Sequence, residues 1–301
     1  MRYIFIPMLS LSLLATGCQN NPASPVDVVQ EQERQSCQNN DYEISELALN
    51  STHPILSNSY EVEIGITRNG DCISKALNVA LYDADRLVSR MELDGSHETI
   101  NTVIQWSPLM DSKRVLTARI ETADDKQDNN EEEITIDVAP IGNYQNLKYL
   151  SSDPVDAGLW KAHSFDVGNP IKLKNASVYL RKYTGENKSI DIIARIYSDK
   201  NGQPDRVLQE SKIPAEVTNS FEWYDFAYDQ SLGSGRYWLV LSLSDLGNIN
   251  WHFSSNPPFG TDDDSLGMRL VFNDDSQQWR QSQWIINPDR DYSFKISGIE
   301  K

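Results

Sequence analysis

The chain has 301 residues, with 27 Lys and Arg against 44 Asp and Glu and a formal charge of −17. That length accommodates two ordinary domains. The charge repels phosphate backbones and anionic headgroups, so nucleic acid is excluded as a partner and membrane attachment must come from something other than protein charge. In chain order, the first segment has Arg2 at its head and an apolar run from Tyr3 to Ala15, broken only by Pro7, Ser10 and Ser12. The small residues Ala15, Thr16 and Gly17 close it. A basic tip, a short apolar core and small residues before a cut describe a secretory signal peptide over residues 1–17. The core is too short to cross a hydrocarbon layer of ~30 Å. Residues 18–40 are polar and carry Pro22 and Pro25, as a flexible tether would.

The run Leu13-Leu14-Ala15-Thr16-Gly17-Cys18 resembles the lipobox of bacterial lipoproteins. The resemblance implies that Cys18 is diacylated and becomes the new N-terminus, so that the membrane is held through lipid. Such proteins are usually kept at the inner membrane by an Asp after that Cys. Gln19 stands there instead, which implies the outer membrane. With Cys18 lipidated, Cys37 and Cys72 remain, an even number in an exported chain, and a disulfide between them is expected. A hairpin of Tyr42–Leu49 and Tyr60–Thr67 that sets residue 49 opposite 60 would bring 37 opposite 72.

From Asp41 to about Ala139 short stretches alternate. Val62, Ile64 and Ile66 lie on one face, followed by Leu77, Val79 and Leu81, then Ile104 and Trp106, then Leu116, Ala118 and Ile120, then Ile134, Ile136 and Val138. With Asn69-Gly70 and Asp94-Gly95 as turns, this predicts a seven-strand β-sandwich over residues 41–139. The segments Asp41-Tyr42-Glu43-Ile44, Asn78 to Tyr82, Ile104-Gln105-Trp106, and Asp128 to Glu133 running into Ile134-Thr135-Ile136 resemble the CARDB domain, a cell-adhesion-related module of bacteria. The resemblance implies an immunoglobulin-like sandwich used as a spacer or adhesive unit. The Cys37/Cys72 pair is not part of that family's core pattern.

Ala139-Pro140-Ile141-Gly142 breaks the alternation, and residues 140–158 are expected to be a linker. From 159 to 301 larger side chains alternate: Ile190 to Ile196, Tyr237 to Leu243, Met268 to Phe272, and Tyr292 to Ile296. A second all-β sandwich follows. Ala162 to Val167, Ala176 to Lys182, Ile196 to Pro204, Trp223 to Tyr228, Gly235 to Leu241 and Asp291 to Phe294 resemble the carbohydrate-binding, galactose-binding-like jelly-roll domains of exported bacterial proteins. The fold class expected is therefore all-β, two β-sandwich domains in tandem.

Enzymatic patterns are thin. His53, His97, His163 and His252 are scattered, and neither a nucleophile elbow nor a phosphate loop occurs. The reading is a non-enzyme. Asp199, Asn201 and Asp205 offer the hard oxygen donors that Ca2+ takes, although the same residues are ordinary turn formers. Six of the seven Trp lie in the second half: Trp160, Trp223, Trp238, Trp251, Trp279 and Trp284. Trp223 and Trp238 sit inside strand motifs and read as structural. Trp251, Trp279 and Trp284, among Asn250, Arg280 and Asp289, are expected in or beside loops at one end of the sandwich. There they would form an aromatic platform for a glycan or other surface polymer, rings against the sugar face and polar groups on its rim. The competing readings are that these Trp close the end of the sandwich, and that the protein is a structural or interaction subunit whose partner is another envelope protein.

Overall fold

Alternation with period two gives strands and no helix among the described residues of the computed structural model, which are 39–74, 76–123, 125–144, 147, 151–182, 190–214, 216–245, 247, 249–254, 265–273, 278–286 and 290–300. The first domain contributes β1 (Tyr42–Leu49), β2 (Tyr60–Arg68), β3 (Leu77–Asp83), β4 (Arg86–Leu93), β5 (Thr99–Trp106), β6 (Lys113–Ile120) and β7 (Glu131–Asp137). They form a three-strand sheet in the order β1-β2-β5 facing a four-strand sheet in the order β4-β3-β6-β7. The expected inward rows are buried: Val62, Ile64 and Ile66 on β2, Leu77, Val79 and Leu81 on β3, and Leu116, Ala118 and Ile120 on β6. Trp106 is wholly buried, and its indole N–H donates to Asp83 at 3.2 Å while Arg114 closes on the same carboxylate at 2.6 Å.

The β1–β2 register differs from the expected one. Ile44 faces Ile66 and Tyr42 faces Arg68, and a bulge after Ile44 shifts the rest so that Leu49 faces Val62. The bulge lets Ile44 and Leu47 both turn inward, which strict alternation from residue 44 would forbid.

The second domain follows with β8 (Ser152–Val155), β9 (Leu159–Val167), β10 (Ile171–Lys182), β11 (Asp191–Asp199), β12 (Pro204–Pro214), β13 (Glu222–Leu232), β14 (Gly235–Leu243), β15 (Ile249–Ser254), β16 (Ser265–Asn273), β17 (Gln278–Ile286), β18 (Asp291–Tyr292) and β19 (Phe294–Glu300). One sheet runs β13-β10-β15-β18, with β19 also on β10 and β8 also on β15. The other runs β12-β11-β14-β9-β16-β17. Between them lie Leu173, Ala176, Val178, Leu180, Ile192, Ala194, Ile196, Leu239, Leu241, Phe226, Phe294 and Ile296, all buried.

Within the stretch 140–158 the described residues run against the second domain. Ile141 bridges Ile296 on β19, Gly142 lies so close to β19 that a Cβ would fall 2.4 Å from the Phe294 carbonyl oxygen, and β8 is a strand of the second domain. The two domains also meet directly. The β9–β10 turn, Gly168-Asn169, packs against Ser57-Asn58, and Met110 bridges Ile299.

Candidate functional site

The expected platform is not assembled. Trp251 lies in β15, not in a loop, and is wholly buried. Its ring stacks on Tyr292 at 4.6 Å and its indole N–H donates to the Ser293 carbonyl at 2.8 Å. Asn250 beside it is 4% exposed. The reason is the place of β15 inside its sheet, between β10 and β18, where residues of both parities are covered. Trp279 and Arg280 stand on β17 of the opposite sheet, paired with Phe272 and Val271. Trp284, also on β17, is half-buried against a small cluster of Ala162, Tyr197, Trp238 and Val240. Asp289 lies outside the described residues, as do Cys18 and Cys37.

Asp199 and Asn201 serve a hairpin. Lys200 and Gln203 exchange backbone hydrogen bonds across Asn201-Gly202, both at positive φ (56° and 73°), the two-residue turn that Asn-Gly favours. The Asp199 carboxylate accepts the Trp238 indole N–H at 2.7 Å and the Gly202 amide at 3.3 Å. Asp205 is exposed on β12. Among the described residues no three His, Cys, Asp or Glu gather as metal ligands would.

A cluster of buried titratable groups sits at the β8–β9–β18 end of the core. Burial alone would raise the Asp153 carboxyl. Hydrogen bonds from Tyr292 (2.6 Å) and Arg290, with the Lys161 ammonium at 3.4 Å, outweigh that and hold it below the usual carboxylate range. Burial pushes Lys161 down, and Asp153 opposes the shift. Both ring nitrogens of His163 face oxygens, Ser164 O and Asp291 Oδ1, each at 2.7 Å. These groups satisfy one another.

A third arrangement lies on the outer face of the β13-β10-β15 sheet, and the sequence did not point to it. On β10 the side chains alternate. Ala176, Val178 and Leu180 point into the core, and Ser177, Tyr179 and Arg181 point outward. Antiparallel pairing sets Tyr179 beside Trp223 and Ser177 beside Asp225 on β13, and Ser177 beside Lys295 on β19. Six half-buried side chains consequently touch in succession. Arg181 lies 4.6 Å over the Phe221 ring, Phe221 stacks on Tyr179 at 5.3 Å, and Tyr179 meets Trp223 at 5.0 Å. Lys295 sits 4.1 Å over Trp223 and 5.5 Å from Tyr144. Buried His252 abuts Tyr179 and Phe221 edge-on and holds its ring through Ser293 Oγ at 2.8 Å. Ser177 donates to Asp225 at 2.5 Å on the flank. Such a row is fixed before any ligand arrives, since every ring is braced by a neighbour. It offers apolar ring surface beside hydroxyl, carboxylate and cationic groups, the mixture a polyhydroxylated ligand needs. Its signal in the sequence is aromatic residues on the polar parity of two strands, Tyr179 opposite Val178 and Trp223 opposite Tyr224.

The opposite sheet carries a smaller outer cluster. Arg195 lies 4.9 Å over Trp160 and is tied down by Glu210 (2.6 Å) and Ser242 (2.7 Å). At the domain junction a shallow recess of about 410 Å³ is lined by Ser57, Asn58, Ser59, Tyr60, Gly168 and Asn169.

No family profile matches the chain, and no curated protein does. Among solved structures, the CARDB domain of the PF1109 protein from Pyrococcus furiosus, a complex with di-metal ions, aligns with 34% of this chain and 90% of its own at 15% identity and a TM-score of 0.31. A carbohydrate-binding module of the β-sandwich superfamily aligns with 71% of this chain and 96% of its own at 10% identity and a TM-score of 0.23. The α-L-rhamnosidase from Aspergillus terreus aligns with 82% of this chain and 29% of its own at 12% identity and a TM-score of 0.21. These are likenesses of fold. The strand order described above makes the chain all-β.

Proposed function

We propose that this is an exported, lipid-anchored binding protein of the outer membrane, with no catalytic role, whose second domain takes up a polysaccharide. The first domain serves as its spacer. The observation that carries the reading is the braced row of Phe221, Tyr179 and Trp223 on an outer sheet face. Rings held in this way lose little entropy on binding, so a shallow face can still retain a chain of several sugars. The affinity expected is weak, of the order of micromolar to millimolar. Binding of the detergent-solubilised full chain to a glycan panel should be lost in Trp223→Ala and weakened in Tyr179→Ala. Retention of glycan by both variants would sink this face as the site. Anchoring is tested separately: Cys18→Ser should release the chain from the membrane fraction, and unchanged fractionation would refute the lipid anchor.

A second reading, a subunit that binds an envelope protein along an open sheet edge, draws on β17. It ends its six-strand sheet and leaves Ile285 63% exposed. Crosslinked co-purification of an envelope protein, abolished by Ile285→Lys, with no glycan retained, would favour it.

A further inference from the structure

We infer that the polysaccharide taken up by this face is anionic, bearing carboxylate or sulfate groups. The inference rests on the reading above and concerns the sign of the charge that reading leaves open.

The chain as a whole is acidic, at −17. The outer face of the β13-β10-β19 region is not. Alternation along these strands, stepped by the bulge between Leu173 and Asn175, places Lys172, Lys174 and Arg181 of β10 and Lys295 of β19 on it, against Asp225 and Asp229 of β13. Lys172 and Lys174 share the one carboxylate of Asp229, at 2.8 and 3.2 Å. Asp225 accepts from Ser177. Arg181 and Lys295 have no carboxylate within ion-pair distance among the described residues. Arg181 touches the Phe221 ring and, at 3.5 Å, the Ser152 hydroxyl, and Lys295 touches Trp223 and Tyr144. Among the described residues, four cations thus face two carboxylates on the surface of a strongly acidic molecule.

The aromatic rings reinforce the sign. A ring is negative on its faces and positive at its edge. Here the faces are taken up, by Arg181 at one end, by Lys295 at the other and by ring on ring between them. A cation resting on a ring also keeps most of its donors. An ammonium has three N–H groups and a guanidinium five, and a ring face uses none of them in a directed bond. The two free cations stand apart. Lys295 is level with Ser177, four residues along β10 from Arg181, or about 13 Å at the rise of a strand. A single small anion cannot bridge that distance, whereas a polymer with charges spaced along it can reach both.

The test uses the detergent-solubilised full chain and matched pairs of probes: polygalacturonate against its methyl-esterified form, and dextran sulfate against dextran. The expected result is retention of at least one charged member over its neutral partner, with binding that weakens as salt rises. The two pairs separate carboxylate from sulfate. Lys295→Gln and Arg181→Gln should each weaken the charged probe by about tenfold, the effect of one charge-assisted hydrogen bond, and Lys295→Arg should keep most of it. Equal binding of charged and neutral members, still abolished by Trp223→Ala, would overturn the inference and leave the glycan face standing. Binding of none of the four probes overturns both. Tighter retention of single-stranded DNA than of either charged glycan would also overturn it.

Discussion

Asn169, in the turn between β9 and β10, donates through Nδ2 to Ser107 Oγ at 2.9 Å, reaching from the second domain into the first. The same amide reaches Ser59 Oγ at 3.2 Å, its backbone N–H bonds the Ser57 carbonyl at 2.7 Å, and Gly168 N–H bonds the Ser57 hydroxyl at 3.2 Å. Ser57 itself sits at φ 72°, a conformation a non-glycine residue keeps only when its surroundings hold it there. These bonds, the Met110–Ile299 bridge and the Ile141–Ile296 bridge fix the angle between the sandwiches at separate points. Asn169→Ala should cost about 1 kcal/mol of stability and loosen that angle, seen as a broader distance distribution in small-angle scattering. Gly168→Ala should do more, since its Cβ would fall 2.6 Å from the Ser57 carbonyl oxygen. Unchanged scattering in both variants would show that the Ile141 and Met110 contacts hold the domains without this turn.

The first domain turns on Trp106 and Asp83. The carboxylate is wholly buried, and its oxygens accept from the Trp106 indole and the Arg114 guanidinium. Trp106→Phe keeps most of the ring volume and removes one donor from a buried charge, so a loss of about 2–3 kcal/mol is expected in urea unfolding. Asp83→Leu should cost at least as much, because it strands Arg114. A Trp106→Phe loss below half a kcal/mol would mean that Arg114 alone satisfies the carboxylate.

These strands were legible from the sequence wherever one face of a strand meets water and the other the core. Val62, Ile64 and Ile66 on β2 announce themselves by alternation, and so do Ile104 and Trp106 on β5. Alternation does not show whether the polar parity stays dry. Ile249-Asn250-Trp251-His252-Phe253-Ser254 alternates apolar and polar as a strand does, yet Asn250 and His252 are buried along with Trp251. Those polar neighbours suggested a setting beside a loop for Trp251. Trp223 misled in the opposite direction. It lies in an evident strand, which suggests a core role, but its partner Tyr179 belongs to the outward parity of β10. Local pattern shows which residues share a face of one strand. Which strand lies next to it, and whether anything covers that face, depends on pairings distant in sequence, such as β10 with β13 and β19.

The buried cluster at Asp153 makes stability depend on acid. Its folded carboxyl titrates below the usual carboxylate value, so between the folded and unfolded values the unfolded chain binds more protons. The contribution is fully present above the unfolded value near 4 and is lost as pH falls through the lower folded value. The melting temperature should therefore decline below about pH 4, and part of that decline should vanish in Asp153→Asn. The variant should be less stable at pH 7, because Arg290 and Lys161 lose their shared counter-charge. Lys161, pushed down by burial, contributes in the alkaline range with the same slope: stability gains as pH rises toward the ordinary lysine value. An Asp153→Asn chain with an unchanged acid profile would remove Asp153 as the source.

The remaining prediction concerns Cys72, which is 9% exposed just beyond the end of β2. Its backbone N–H donates to the Asn39 carbonyl at 2.9 Å, and Asn69 and Gly70 bond the Asp41 carbonyl at 2.8 and 3.1 Å, so the chain before β1 runs on beside Cys72 in ladder fashion. Cys37 is two residues upstream of that contact and outside the described residues. The observed register is shifted by one residue from the expected pairing at the Tyr42–Arg68 end, which alters the facing position but not the proximity. A Cys37–Cys72 disulfide is expected from this approach. It would close a loop of some 35 residues and stabilise by about 3–4 kcal/mol if constraint of the unfolded chain dominates. Non-reducing peptide mapping of the exported chain should recover the linked pair, and Cys72→Ser should lower the urea midpoint as reductant does in the parent. If reductant lowers the midpoint of Cys72→Ser by as much as that of the parent, the bond is elsewhere. If it moves neither, the two thiols are not joined and the first domain is held by its core and the Trp106–Asp83 bond alone.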